Sequence, residues 1–287
     1  MKILITGANG QLGRSLVRSL ASHEVVALGH ADLDVSDATA VRAAIEMRRP
    51  DAVIHAAALT DTALCERDPA AARAVNITGT ENVARSSARA GARLVAVSTN
   101  EVFDGWATEP YAEDAETHAV NAYGASKLDG ELLAVAACSD TLIVRTSWLY
   151  GEGGANFVEK VRAAAREGRP LRFVTDEIAT PTYAGDLVGA IRALLEQGAP
   201  AGVYHLVNEG EASRYDWACE IVRLSGVSAV VEETSSGDLR AAGYDGPRKP
   251  PYSVLANTRA RAIGITLRPW REALAAYCGR AEVARDG

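Results

Sequence analysis

The chain has 287 residues, of which 48% are hydrophobic and 23% charged, and its formal net charge is −7. This length favours one large domain or two and is ample for a buried core. The composition excludes a disordered or collagen-like chain. The negative charge argues against nucleic acid as the main partner, because phosphate backbones attract local clusters of Lys and Arg.

Cysteine spacing and apolar runs exclude further classes. The four cysteines are widely scattered and form no C-x-x-C pair, which predicts free thiols in a reducing compartment and no metal site. They are Cys65, Cys138, Cys219 and Cys278. No apolar run approaches the roughly 20 residues that a membrane helix needs, and the first apolar stretch is too short for a signal peptide. We therefore expect a cytoplasmic protein with no membrane partner.

Up to about residue 145, short β-branched runs alternate with longer stretches rich in Ala, Arg, Leu and Glu. The expected strands are Lys2–Thr6, Glu24–Leu28, Ala52–His55, Arg93–Ser98 and Thr141–Arg145. The expected helices are Gln11–Ser22, Asp37–Arg48, Pro69–Ala90 and Asn121–Ala137. Continuous apolar strands suit a sheet that is covered on both faces. The alternation predicts an α/β fold with a doubly wound parallel sheet.

Beyond Tyr150 the alternation loosens, and no linker or internal repeat separates a second folding unit. The expected elements are helices at Asn156–Glu167, Tyr215–Leu224 and Pro269–Tyr277, a strand at Gly202–Val207, and loops at Ile178–Asp186 and Pro247–Pro251. We expect residues 151–287 to form mainly a smaller lobe, with segments that return to the first domain. A cleft then lies between the two parts.

A glycine-rich loop joins the first strand to the first helix. Gly7 permits a tight turn, Gly10 lets the backbone approach a pyrophosphate, and Gly13 lets the helix pack against the sheet. The positive end of the helix then faces the phosphates. The spacing G-x-x-G-x-x-G in this context predicts a dinucleotide site, to which we also assign the loop residues Asn9, Gln11 and Leu12.

The segment after the second strand bears on the choice of cofactor. A carboxylate there would bind the adenosine ribose of NAD, whereas a cation would favour the 2′-phosphate of NADP. His30 stands where that choice is made and is neither a firm anion nor a firm cation. We expect Asp34 to line the adenine end beside Val35. The residues alone leave NAD and NADP open.

Tyr123 and Lys127 form a Y-x-x-x-K motif on a predicted helix, where residues four apart share a face. A neighbouring ammonium typically lowers a pKa by about 1–3 units, which would make the phenol a usable acid near neutral pH. Ser98 and Thr99 end the fourth strand, where ligands of such sheets bind. A hydroxyl there can donate to a substrate carbonyl oxygen.

With these motifs in place, the chain resembles the extended short-chain dehydrogenase/reductases, and within them the dTDP-4-dehydrorhamnose reductase family. The resemblance covers nearly the whole chain. Besides the motifs above, it rests on Arg49–Ala58, Val75–Asn76, Arg145–Gly151, Asn156–Phe157, Pro181–Thr182, Gly202–Leu206 and Ser253–Leu255.

The resemblance implies that residues 1–150 form an NAD(P)-binding Rossmann domain and that the remainder binds mainly substrate. It implies NADPH or NADH as cofactor and reduction of the 4-keto group of a nucleotide-linked 6-deoxyhexose, with dTDP-4-dehydro-L-rhamnose or a related dTDP sugar as substrate. The implied catalytic residues are Thr99, Tyr123 and Lys127. Further implied contacts are Ala56, Ala57, Ala58 and Thr60 to the cofactor, and Asn100, Glu101, Val102, Trp148 and Asn156 to the substrate.

Some positions depart from the family pattern. Asn100 and Glu101 stand where the family has Asp-Tyr, and Ala63 stands where it often has Asp. The exact hexose and any divalent-metal requirement therefore stay open. Two alternative functions also stay open: an epimerase or dehydratase with retained NAD, and a non-catalytic regulatory subunit like that of methionine adenosyltransferase. A homodimer is possible as well.

Overall fold

A six-stranded, fully parallel sheet forms the centre of the computed structural model, which describes residues 1–154 and 156–283. The strands are β1 (Lys2–Thr6), β2 (Glu24–Leu28), β3 (Ala52–His55), β4 (Arg93–Thr99), β5 (Thr141–Thr146), β6 (Leu149–Tyr150), β7 (Leu171–Val174), β8 (Ile178–Ala179), β9 (Thr182–Tyr183), β10 (Gly202–His205), β11 (Ala212–Ser213) and β12 (Val231–Thr234). The order in the sheet is β2-β1-β3-β4-β5-β10. The winding direction reverses between β1 and β3, and ligands of such folds bind at this point.

Helices cover both faces of the sheet. They are α1 (Gln11–Ser19), α2 (Ala38–Arg48), α3 (Thr62–Arg67), α4 (Pro69–Ala72), α5 (Thr80–Ala90), α6 (Ala122–Ala137), α7 (Phe157–Arg166), α8 (Ala184–Glu196), α9 (Arg214–Leu224), α10 (Ser236–Ala241), α11 (Thr258–Ala262) and α12 (Trp270–Val283). Successive strand side chains point to opposite faces. Accordingly Ile3 and Ile5 pack with α1 and α8, whereas Leu4 packs with α2, α5 and α6.

The predicted doubly wound parallel sheet is confirmed, and the five strands expected before residue 150 appear within one residue of their expected ends. Two expected elements need correction. The single helix expected over Pro69–Ala90 contains a π-helical stretch, Arg73–Gly79, where Asn76 binds the backbone of Leu59 through both its amide nitrogen and its amide oxygen. The loop expected over Ile178–Asp186 contains two short strands, β8 and β9, and α8 already begins at Ala184.

A second core lies beyond the sheet and contains several large aromatic side chains. Its largest side chains are Tyr150, Tyr183, Trp217, Trp270 and Tyr277. The chain nevertheless returns to the main sheet, because β10 pairs with β5 along its length. In the part of the chain that the structure describes, no helix is long and apolar enough to span a bilayer.

Candidate active site

The glycine loop has the backbone geometry of an anion cradle. Gly7 has a φ of +69°, and a Cβ there would lie 2.6 Å from the backbone nitrogen of Ala57. A Cβ on Gly13 would collide with the carbonyl oxygen of Gly7. Helix α1 begins with Gly10 as N-cap and has no side-chain cap, so its first N–H groups stay available for an anion. Gly7 and Ala57 flank the point where the winding of the sheet reverses, and this site fits a dinucleotide pyrophosphate.

Two adjoining cavities form one long groove over the carboxyl ends of the strands, and they share Gly10, Ala56 and Ala58. The first, of about 510 Å³, is also lined by Gly7, Asn9, His30, Leu33, Asp34, Val35, Ala57, Leu59 and Val75. The second, of about 460 Å³, is also lined by Gln11, Leu12, Gly13, Thr60, Thr62, Val97, Ser98, Thr99, Asn100, Glu101, Tyr123, Lys127, Thr146, Ser147, Trp148, Leu149, Arg214 and Lys249. The groove thus brings the cofactor-site residues expected from the sequence together with Tyr123 and Lys127.

At the end of the groove next to β2, the side chains of Asp32 and Asp34 are engaged in local turns. The carboxylate of Asp34 accepts hydrogen bonds from the hydroxyl (2.7 Å) and the backbone N–H (2.9 Å) of Ser36, and these bonds lower its pKa. Asp32 accepts from the backbone N–H of Gly29 (2.8 Å). His30 is exposed on the same wall.

Helix α6 carries Tyr123 and Lys127, and its start is fixed from several sides. Asn121 is its N-cap and accepts from the backbone N–H of Gly124 (2.8 Å). A side chain on Gly124 would collide with the carbonyl oxygen of Glu101, so the glycine allows the helix to pack directly on the turn that follows β4. Tyr123 is therefore held next to the end of the strand that carries Thr99.

Burial dominates the electrostatics of Lys127 and Tyr123. It lowers the pKa of Lys127 to about 8, against the smaller opposing effect of Glu131. It raises the pKa of Tyr123, and the charge of Glu101 adds to this, while a hydrogen bond from Thr99 opposes it. The expectation of a lowered pKa for the phenol was therefore wrong, because burial and the charge of Glu101 both disfavour the phenolate. Tyr123 stays protonated at neutral pH.

The two candidate hydroxyls at the end of β4 differ in their partners. Ser98 donates to the buried carboxylate of Glu131, which also pairs with Arg145 through Nη2 (2.7 Å) and Nε (3.1 Å). This network ties α6 to the sheet. The hydroxyl of Thr99 accepts from the backbone N–H of Glu101 (3.2 Å) and stands within bonding reach of the phenol of Tyr123.

An aromatic wall closes the other side of the cleft. Trp148 has a φ of +39°, a left-handed conformation that costs a non-glycine residue about 1–2 kcal/mol. Its ring stacks on Trp217 with centroids 5.6 Å apart, and the guanidinium of Arg214 lies 3.7 Å from its ring centroid. The wall is thus fixed before any ligand arrives.

Three of the five expected substrate contacts line the cleft, namely Asn100, Glu101 and Trp148. The other two lie elsewhere. Val102 is fully buried with Phe103, and Asn156 caps α7 and donates to the carbonyl of Gly151 (2.8 Å). Their predicted contact with substrate stays a prediction.

Arg214 and Lys249 line the cleft, but the sequence analysis did not identify them. Each lies beyond residue 150, outside any motif, and reaches the site only through tertiary packing. A charged residue that begins a helix, like Arg214, or lies between prolines, like Lys249, carries no local signal for a cleft. Within the described residues, no group of three or more His, Cys, Asp or Glu side chains could hold a metal ion.

Comparison with known proteins places these features in a family. The family model described as the RmlD substrate binding domain matches residues 1–283. The spore coat polysaccharide biosynthesis protein SpsK of Bacillus subtilis is 39% identical, over 99% of both chains. A probable dTDP-4,6-dihydroxy-2-methyloxan-3-one 4-ketoreductase of Streptomyces antibioticus is 41% identical, over 96% of this chain and 93% of its own.

Two solved structures share the fold over nearly the whole chain. A dTDP-4-dehydrorhamnose reductase of Clostridium acetobutylicum superposes with a TM-score of 0.94 at 36% identity and covers 98% of this chain and 100% of its own. One from Bacillus anthracis, in complex with NADP, gives 0.91 at 32% identity and covers 97% and 98%. The resemblance read from the motifs is confirmed, and the chain belongs to the RmlD substrate binding domain family, alongside dTDP-4-dehydrorhamnose reductases.

Proposed function

We propose that the protein is an NAD(P)H-dependent oxidoreductase that reduces the 4-keto group of a nucleotide-linked 6-deoxyhexose. The first substrate to test is dTDP-4-dehydro-L-rhamnose, whose product is dTDP-L-rhamnose. One observation carries the proposal. A protonated tyrosine, a lysine and a threonine line the same cleft as an uncapped helix N-terminus behind a glycine loop.

The glycine loop and the first turn of α1 hold the pyrophosphate of the cofactor, and His30, Asp34 and Val35 line the adenosine end. Lys127 binds the nicotinamide ribose with its ammonium. The bound dihydronicotinamide supplies the hydride that the ketone carbon receives. His30 is the side chain through which the enzyme discriminates between NADPH and NADH, since both neighbouring carboxylates are engaged in turns.

As the ketone carbon is reduced, the former carbonyl oxygen receives a proton from Tyr123. The phenol is protonated at neutral pH, as a general acid must be, and Thr99 donates a hydrogen bond to the oxygen as negative charge develops there. Lys127 then stabilises the phenolate that is left. The lowered pKa of Lys127, about 8, allows its ammonium to release or regain a proton near neutral pH.

Trp148 offers an aromatic face to the sugar ring. Indole faces pack well against the apolar C–H surface of a sugar, and Arg214 and Trp217 hold the ring in place. Asn100 and Glu101 form the floor of the cleft, where this chain departs from the Asp-Tyr of the family. These two residues bear on which hexose is accepted.

The test is to incubate the protein with a panel of nucleotide-linked 4-keto-6-deoxyhexoses and either NADH or NADPH, and to follow nicotinamide absorbance. We expect one cofactor to be consumed per sugar reduced. Sugar conversion without net cofactor consumption would instead show an epimerase or dehydratase. Cofactor binding without conversion of any sugar would favour the regulatory subunit.

The setting of the enzyme is part of the same proposal. Cys65, Cys138 and Cys219 form no disulfide, which supports a cytoplasmic location, since reducing compartments keep thiols from being oxidised to disulfides. Fractionation of the native cell with a periplasmic marker and a cytoplasmic marker tests this. Light scattering of the purified protein decides between a monomer and a homodimer.

A further inference from the structure

Glu101 and Lys249 form an ion pair at the rim of the cleft, beside the start of the catalytic helix. The ammonium of Lys249 lies 2.8 Å from Oε1 and 3.0 Å from Oε2 of Glu101, and it also donates to the hydroxyl of Thr62 (3.1 Å). The side chains of Lys249 and Glu101 are only 20% and 13% exposed. The pair is thus partly shielded from water, and ion pairs are stronger there than on an open surface.

Glu101 is also bonded to the first turn of α6. Its Oε2 accepts from the side-chain amide of Asn121 (2.7 Å), and the same amide donates to the carbonyl of Arg248 (2.8 Å). Asn121 caps the helix whose second residue is Tyr123. Glu101 therefore connects the segment that contains Lys249 to the cap that orients the phenol.

The charges around this pair come from both lobes. Glu177 and Arg214 form a second pair 3.8 Å apart across the cleft, and both interact electrostatically with Glu101. On the other side of the first turn of α6, Glu66 accepts from the backbone N–H of Ala122 (2.8 Å).

The phenol of Tyr123 itself faces Glu101, Cys65 and Thr99, with Lys127 one turn further along its own helix. Among these charges Glu101 has the largest effect, and it raises the pKa of Tyr123. Lys249 is the only cation bonded to Glu101 among the described residues.

We propose that Glu101 and Lys249 are positioning residues for Tyr123. Glu101 fixes the cap of the catalytic helix, and Lys249, reaching over from the second lobe, neutralises the charge that Glu101 places beside the phenol. The proposal rests on the proposed function, because it takes Tyr123 as the proton donor. The proposal assigns a role to Glu101, which stands where the family has Tyr.

The test uses Glu101→Gln, Lys249→Met and the double variant in the full-length protein. The readout is the pH profile of the reverse reaction, oxidation of the reduced sugar with NADP⁺, in which Tyr123 must be ionised. Removing the carboxylate charge should move the profile to lower pH by about one pH unit, and removing the ammonium should move it to higher pH by a similar amount. The double variant, which loses both charges, should return close to the wild-type profile.

A merely structural effect would lower turnover in both single variants without moving the pH profile. It would not produce opposite shifts that cancel in the double variant. Shifts of the same sign, or no shift, would overturn the proposal. Glu220→Gln is the control, because Glu220 pairs with Arg223 on α9, where the arginine is exposed. Thermal melting and NADPH titration establish that each variant folds and binds cofactor.

A second readout separates failure of this proposal from failure of the proposed function. If no sugar of the panel reacts, each variant is titrated by ultraviolet absorbance against its own Tyr123→Phe counterpart, which isolates the ionisation of one tyrosine. The same opposite shifts are expected. Their absence would overturn the positioning role even though no substrate is known.

Discussion

The two ends of the groove are built in different ways. At the cofactor end, the phosphate cradle is backbone from one continuous stretch, residues 7–13, which packs on Ala57. The catalytic end is made of long side chains that come from both lobes, among them Trp148, Arg214 and Lys249. The first end depends on the absence of side chains and the second on their convergence. Substitutions at the two ends should therefore have different effects on turnover, stability and cofactor affinity.

The largest effect is expected at the catalytic end from Tyr123→Phe. Removing the phenolic hydroxyl takes away the proton donor and leaves the ring in place, so turnover should fall by about 10²- to 10⁴-fold. Cofactor binding should be unchanged, because the glycine loop is untouched. Turnover with saturating substrate and NADPH fluorescence titration measure the two quantities. A loss below tenfold with cofactor still bound would contradict the proton-donor role.

At the cofactor end, Gly13→Ala should reduce both stability and NADPH affinity. The new Cβ collides with the carbonyl oxygen of Gly7, and such overpacking costs about 1–3 kcal/mol of the free energy of unfolding. Displacing the loop should weaken NADPH binding about tenfold or more, which corresponds to about 1.4 kcal/mol. Urea unfolding and cofactor titration provide the measurements.

Gly189→Ala in α8 is the matched control, since a Cβ there meets nothing within 4 Å. It should stabilise the helix by about 0.5–1 kcal/mol. If Gly13→Ala behaved like this control, the close approach of the loop to the first turn of α1 would not exist in solution.

Arg214→Leu should chiefly raise the KM for the nucleotide sugar. A cation over an indole face contributes about 0.5–2 kcal/mol, which predicts an increase of about 2- to 30-fold. The variant also removes the partner of Glu177, so the pKa of that carboxyl, already raised by burial, should rise further. Arg223→Leu on the same helix is the control, because its side chain is 66% exposed. An equal effect of both variants would refute the role of the aromatic wall.

A further prediction concerns stability and involves Lys127. Burial lowers its pKa to about 8 in the folded protein, so the ammonium costs stability at pH 7 and this cost disappears as the pH rises. Lys127→Met should thus be inactive yet more stable at pH 7, by about 1–3 kcal/mol. Relative to this variant, the wild type should gain stability between pH 8 and 10.5. Melting temperatures at pH 7 and pH 10.5 test both statements, and a less stable Met variant at pH 7 would contradict them.

The same contrast explains what could be predicted from the sequence. The strands, the glycine loop and the Tyr123–Lys127 spacing follow from local rules of periodicity and backbone sterics. The raised pKa of Tyr123 does not, because burial and the charge of Glu101 act across the fold. Arg214 and Lys249 were missed for the same reason. The π-helical stretch at Arg73–Gly79 contains a buried amide, Asn76, whose partners Leu59 and Ser126 lie far along the chain.

The return of the chain as β10 has a consequence for how this molecule can be divided. Every residue of β5 is buried, and β10 covers one edge of it. A fragment that stops at residue 150 would present that edge bare, as a template on which further chains could add. Residues 1–150 alone are therefore not expected to form a stable, separable unit. Attempts to swap the second lobe for that of a relative should keep residues 202–205 with the sheet to which they belong.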